Sequence, residues 1–218
     1  MLKPSARRQW LRPRLKLREI PKEAFKYCES LKAVTIPEGV KRIGFCAFEG
    51  CKSLSKVSLP YGLEEIDEYA FNDCRSLSEL TIPETVTSIG MYGAFERCTS
   101  LERILFPPNV NNIGAYYIFS ISYLHGAEKG KPYHKNTIGF GSFDNCNKLT
   151  EFTVPDGVET IDLAFHGCIN LEHLYLPASV RRMNDRFEDS PKLTIHAPAG
   201  SYAEQFAKEN KIPFAKEE

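Results

Sequence analysis

Apolar and polar residues along the chain follow two rhythms, one nested in the other. In the stretch LKAVTIPEGVKRIGFCAFEGCKS, from Leu31 to Ser53, Val34 and Ile36 fall on one side of a short alternation and Thr35 on the other. That is the pattern of a half-buried strand. Pro37 ends it, because proline has no N–H to give to a ladder. Val40 and Ile43 then return apolar side chains to the interior, and Ala47-Phe48 sets a small residue beside a large one.

The second rhythm is the recurrence of this whole unit. Phe25, Phe48, Phe71, Phe95, Phe119, Phe143, Phe165 and Phe187 are spaced by 23, 23, 24, 24, 24, 22 and 22 residues. Pro37, Pro60, Pro83, Pro107, Pro132, Pro155 and Pro177 form a second column, and Ile20, Ile43, Ile66, Ile89, Ile113, Ile138 and Ile161 a third, which ends in Met183. A unit this short cannot bury its own apolar side, so the units must stack into a solenoid. Parallel strands ~4.8 Å apart would give a curved rod roughly 35–40 Å long. The residue after each column Ile (Gly44, Asp67, Gly90, Gly114, Gly139, Asp162, Asn184) is of a type that tolerates left-handed backbone, so a turn is expected there. The eight phenylalanines are expected to be buried core.

The consensus L-x-x-h-x-h-P-x-x-V-x-x-I-G-x-x-A-F-x-x-C-x-x resembles the BspA-like branch of the leucine-rich-repeat family, from about Leu17 to Lys192, some four-fifths of the chain. The resemblance implies an α/β-type repeat solenoid: a leucine-rich-repeat rod with short parallel strands on one face, irregular turns on the other and a short capping helix. The tail from Leu193 to Phe214 looks like that family's terminal cap. Its residues agree: Ser201 with Glu204 three places on is a capping box, Tyr202, Phe206 and Ala207 share a helical spacing, and Pro213 lies beyond. The expected organisation is a basic arm and cap over 1–19, the solenoid over 20–192 and the C-terminal cap over 193–218.

One coil is degenerate. Around 120–137 the strand positions hold Gly126, Lys129 and Lys131, and Lys135 replaces the interior Val. The Phe and Pro columns continue through it, so it reads as an irregular coil and not as an inserted domain. A loop there would carry Tyr123, His125, Lys129, Lys131, Tyr133, His134 and Lys135, either as a tolerated variant or as a ligand contact.

Composition narrows the chemistry. With 28 basic and 28 acidic residues the chain is neutral, so nothing global draws it to nucleic acid or anionic lipid. No window approaches the ~20 apolar residues of a membrane span, and no apolar stretch follows the basic N-terminus as an export signal would require. Cys28, Cys51, Cys74, Cys98, Cys146 and Cys168 keep the repeat's phase, so a buried ladder of thiols is expected, with bridges between neighbouring coils as the alternative. Cys46 is off the ladder and is expected to be more exposed. No Cys-x-x-Cys pair, metal-ligand spacing, phosphate loop or nucleophile motif is present. No enzyme, metal or cofactor is therefore expected. Trp10, set among Arg7, Arg8, Arg12 and Arg14, is expected with Leu11 to cover the end of the first coil; nucleic-acid binding through this arm ranks below that.

Outward strand positions are the candidate binding surface. Two before each strand proline stand Thr35, Ser58, Thr81, Leu105, Thr153 and Tyr175, and four before stand Ala33, Lys56, Glu79, Arg103, Glu151 and His173. Arg103, Leu105, His173 and Tyr175 bring bulk and charge to an otherwise small, polar face, a mix enriched at interface hot spots. The candidate site is these four, with Tyr123, Lys129, Lys131 and Tyr133 from the irregular coil. The expected function is monomeric, non-enzymatic protein binding. The resemblance implies cell-surface adhesion or host-ligand binding; a cytoplasmic inhibitor or regulator of a partner enzyme is the alternative.

Overall fold

The computed structural model describes residues 17–90, 92–107, 136–185 and 187–217. In chain order the elements are β1 (Glu19–Ile20), β2 (Ala33–Thr35), β3 (Arg42–Ile43), β4 (Lys56–Ser58), β5 (Glu65–Ile66), β6 (Glu79–Thr81), β7 (Ser88–Ile89) and β8 (Arg103–Leu105). After 108–135 come β9 (Thr137–Ile138), β10 (Glu151–Thr153), β11 (Thr160–Asp162), β12 (His173–Tyr175), β13 (Arg182–Asn184), β14 (Thr194–Pro198), α1 (Tyr202–Glu209) and β15 (Phe214–Glu217). All the pairings are parallel, as stacked coils require. The chain is a solenoid of about seven turns closed by one short helix.

Each coil contributes two strands, not one. The strands of the candidate face pair as β2-β4, β6-β8 and β10-β12-β14-β15, all of three residues except β14 and β15 in the cap. A second ladder, β1-β3-β5-β7 and then β9-β11-β13, aligns Ile20, Ile43, Ile66 and Ile89, and after it Ile138, Ile161 and Met183. Between the ladders the rings of Phe25, Phe48, Phe71, Phe95, Phe143, Phe165 and Phe187 form one column, with successive centroids 5.1–6.4 Å apart. Phe48, Phe71, Phe95 and Phe143 are fully buried. Phe25 is only partly buried, because no described coil lies on its outer side.

Phe119 lies outside the described residues. Phe95 stacks on Phe143 at 5.8 Å, and the Cys146 thiol donates to the Phe95 carbonyl at 3.3 Å.

The back of each coil is narrow, and its left-handed residues are not those expected. They stand two before and two after the column phenylalanine: Glu23 and Tyr27, Cys46 and Gly50, Tyr69 and Asp73, Gly93 and Arg97, Gly141 and Asn145, Leu163 and Gly167. Gly44 and Gly90 have ordinary φ and serve close approach instead. A Cβ on Gly90 would sit 2.1 Å from the Glu68 backbone nitrogen, and one on Gly44 would sit 2.8 Å from that of Lys22. With this geometry three alternate N–H groups per coil point toward the C-terminal neighbour. Glu23, Phe25 and Tyr27 donate to the carbonyls of Phe45, Ala47 and Glu49, and Cys46, Phe48 and Gly50 to those of Glu68, Ala70 and Asn72.

All seven cysteines are free. Five of the six ladder thiols, all but Cys28, donate to a phenylalanine carbonyl of the preceding coil, for example Cys51 to Phe25 at 3.1 Å and Cys74 to Phe48 at 3.2 Å. Cys28 departs from the expected burial and is exposed, again for want of an outer neighbour. Cys46, expected to be exposed, is buried. Desolvation pushes its thiol up to about 12, so it is inert as a nucleophile.

The cap is fixed by its own chemistry. Ser201 accepts from the Glu204 N–H at 3.3 Å, while Glu204 reaches back to the Gly200 N–H at 2.6 Å. The buried face of α1 is Ala203, Phe206 and Ala207; Tyr202, expected there, is exposed. Phe206 meets Phe187 edge-on at 6.4 Å and closes the aromatic column.

One carboxylate near this end makes stability depend on pH. Burial pushes the Asp144 carboxyl up to about 6, from an ordinary value of 3.8. Between these values the folded chain holds a proton at Asp144 that the unfolded chain has released, so this group's contribution to stability should fall as pH rises through about 4 to 6. Asp144→Asn should flatten that slope, because Asn keeps an oxygen for the His166 N–H. Melting temperatures of both proteins across this range check it; parallel curves would contradict it.

Candidate functional site

The candidate face is built by alternation. In β8 and β10 the middle residue, Ile104 or Phe152, is buried and its two neighbours are exposed. Outward positions therefore line up across strands, with Glu79 beside Arg103 and Thr81 beside Leu105. Glu151 lies beside His173 and Thr153 beside Tyr175. Leu105 keeps 46% of its surface, a large apolar side chain among small polar ones. Arg103 lies in a shallow depression lined by Ser78, Glu79, Glu102, Thr150 and Glu151, so its charge is set among acids.

The four expected residues fall into two pairs and not one cluster. Arg103 and Leu105 belong to β8, His173 and Tyr175 to β12, and β10 runs between. Two strand spacings, ~10 Å, separate the pairs. Tyr123, Lys129, Lys131 and Tyr133 lie outside the described residues.

The second pair is part of a larger group. The His173 Nδ1 is 2.9 Å from the His196 Nε2, and the His196 Nδ1 is 2.9 Å from the Glu217 Oε1. A carboxylate can only accept, so His196 donates from Nδ1; a neutral His196 then accepts the His173 Nδ1–H at Nε2. The Tyr175 and His196 rings stack at 4.4 Å and 29°. Three rings on adjacent strands thus hold one another in fixed orientation, tied to β15 through Glu217. Fixed aromatic surface loses little entropy on binding.

His196 and Glu217 were not among the expected residues. The run Leu193-Thr194-Ile195-His196 continues the strand alternation, and pairing sets His196 beside Tyr175. Its proline comes late, at Pro198, so the column that marks the earlier strands does not flag it. Tyr61, 74% exposed just after the strand proline Pro60, is a further aromatic on the rim of this face.

Among the described residues no group of three His, Cys, Asp or Glu side chains is placed to hold a metal ion. Nor is any helix among them long and apolar enough to cross a membrane.

Comparison with known proteins agrees with this architecture. A leucine-rich repeat protein of T. pallidum is 27% identical, with a TM-score of 0.64, over 90% of this chain and 78% of that one. A leucine-rich repeat protein from Bacteroides ovatus is 24% identical with a TM-score of 0.52; the match spans 84% of this chain but 50% of that one, and speaks to fold alone. No curated protein matches. The model of the BspA type leucine rich repeat region matches in six copies over residues 18–128 and 131–197. The chain belongs to the BspA-type leucine-rich-repeat family, a repeat fold that generally serves as a non-enzymatic scaffold for protein interaction.

Proposed function

We propose that this chain is a protein-binding module whose contact surface is the strand face, centred on Leu105 and on the Tyr175–His196 stack. The observation that carries the reading is the rigid ring group His173–Tyr175–His196, preorganised on a face whose other outward positions are mostly small polar or charged side chains. A monotonous face cannot choose between partners; its bulky breaks can. Adhesion or host-ligand binding at a cell surface is the finer reading, resting on the family. A regulator that binds a partner enzyme in a reducing compartment is the second reading, favoured by seven unpaired thiols.

With a partner in hand, Tyr175→Ala and Leu105→Ala should each weaken binding by about 2 kcal/mol, and Thr35→Ala by almost nothing. Titration calorimetry at matched folding checks this. Equal affinities in all three would remove the strand face as the site.

A further inference from the structure

The back of the solenoid is polar along its axis. Along the described back, the N–H groups of the column phenylalanine and of the residues two before and two after it point to the C-terminal neighbour, and the carbonyls that receive them point to the N-terminal one; the His166 N–H, which donates to Asp144, runs the other way. A coil at either end must therefore leave one row unmatched. At the C-terminal end the row is N–H, and carboxylates meet it: Asp185 accepts from Ala164 at 2.7 Å and Phe165 at 3.2 Å, and Asp189 from Gly167 at 3.3 Å. At the N-terminal end the row is carbonyl. Phe45, Ala47 and Glu49 accept from the first coil; the equivalent oxygens of that coil, on Lys22, Ala24 and Lys26, receive no described backbone N–H.

The same end is apolar. Ala47, Phe48, Cys51 and Leu54 are fully buried, yet their first-coil equivalents Ala24 and Cys28 are exposed and Phe25 and Leu31 only half-buried. What covers this end must bring hydrogen-bond donors and apolar bulk together. Residues 1–16, which lead directly into the first coil, contain Arg7, Arg8, Arg12 and Arg14, Trp10 and Leu11, and no acid. Guanidinium and indole groups donate and never accept. They are the counterpart of the aspartates at the other end.

We propose that the basic N-terminal arm docks across the open end of the first coil, with its arginines on the Lys22, Ala24 and Lys26 carbonyls and Trp10 over Phe25 and Leu31. Cys28 is the natural reporter. The five later ladder thiols point to their N-terminal neighbours, and Cys28, at the same phase of the first coil, is exposed on the end to be covered.

The test is the rate of thiol alkylation, residue by residue, in the full chain and in a variant carrying Trp10→Ala with Arg7, Arg8, Arg12 and Arg14 all changed to Gln. The variant should expose Cys28 to the reagent about tenfold faster or more, as expected when a local covering contact is lost. In the wild type the slow rate should not depend on protein concentration. Cys51 should stay unreactive in both, which shows that the coils remain folded; should the full variant unfold, Trp10→Ala alone reads the same rate. Equal Cys28 rates would overturn the proposal. So would protection that grows with protein concentration, which would assign the end to a second copy of the chain.

Discussion

Replacing Phe71 by alanine should cost about 3–5 kcal/mol of stability, the usual loss when a large core aromatic is truncated. Phe71 is fully buried and stacks on Phe48 at 5.4 Å and on Phe95 at 6.0 Å. Its removal opens a cavity in the middle of the column, where collapse would have to move two coils whose backbones are hydrogen-bonded on both sides. Phe25→Ala should cost less, because among the described coils that ring stacks on Phe48 alone and lies at the end of the column, where a covering arm can settle into the space. Chemical denaturation of both variants tests the pair. An unchanged midpoint for Phe71→Ala would sink the stacked register.

The second large effect belongs to Asp185. One oxygen of this buried carboxylate accepts from two backbone N–H groups at the last repeat junction. Asp185→Ala leaves both donors without it in the interior, at about 1–3 kcal/mol for each. Asp185→Asn keeps an amide oxygen at the same place and should lose much less. Thermal unfolding of the two variants separates acceptor from charge: if Asn is as damaging as Ala, the capping role is wrong.

Most of the architecture was legible because each coil repeats a few obligatory features. The phenylalanine, proline and isoleucine columns gave the coil length, the strand ends and the inward side chains; they did not reveal that the isoleucines form a ladder of their own. A strand of two residues, such as Arg42–Ile43, is too short to show an alternation. The left-handed positions were illegible for a different reason. They are held by Glu23, Cys46, Tyr69 and Leu163 as readily as by glycine, so the stacking of coils imposes them and residue preference does not announce them. At the candidate site, Leu105 and Tyr175 stood out against a small polar column. Their partner His196 did not, because its strand belongs to the cap, and nothing local ties Glu217 to it across 21 residues.

The direct packing of Phe95 on Phe143 also bears on how the rod assembles. The equivalent thiol contacts between other neighbouring coils close loops of 25–27 residues, whereas the Cys146–Phe95 contact spans 51. Doubling a flexible loop adds only about 0.6 kcal/mol to its closure entropy. In a one-dimensional array, however, each unit is held by its neighbours alone. The Phe95–Phe143 junction, which closes the longest loop, is therefore the one expected to form last, after the coils on either side have closed on local contacts.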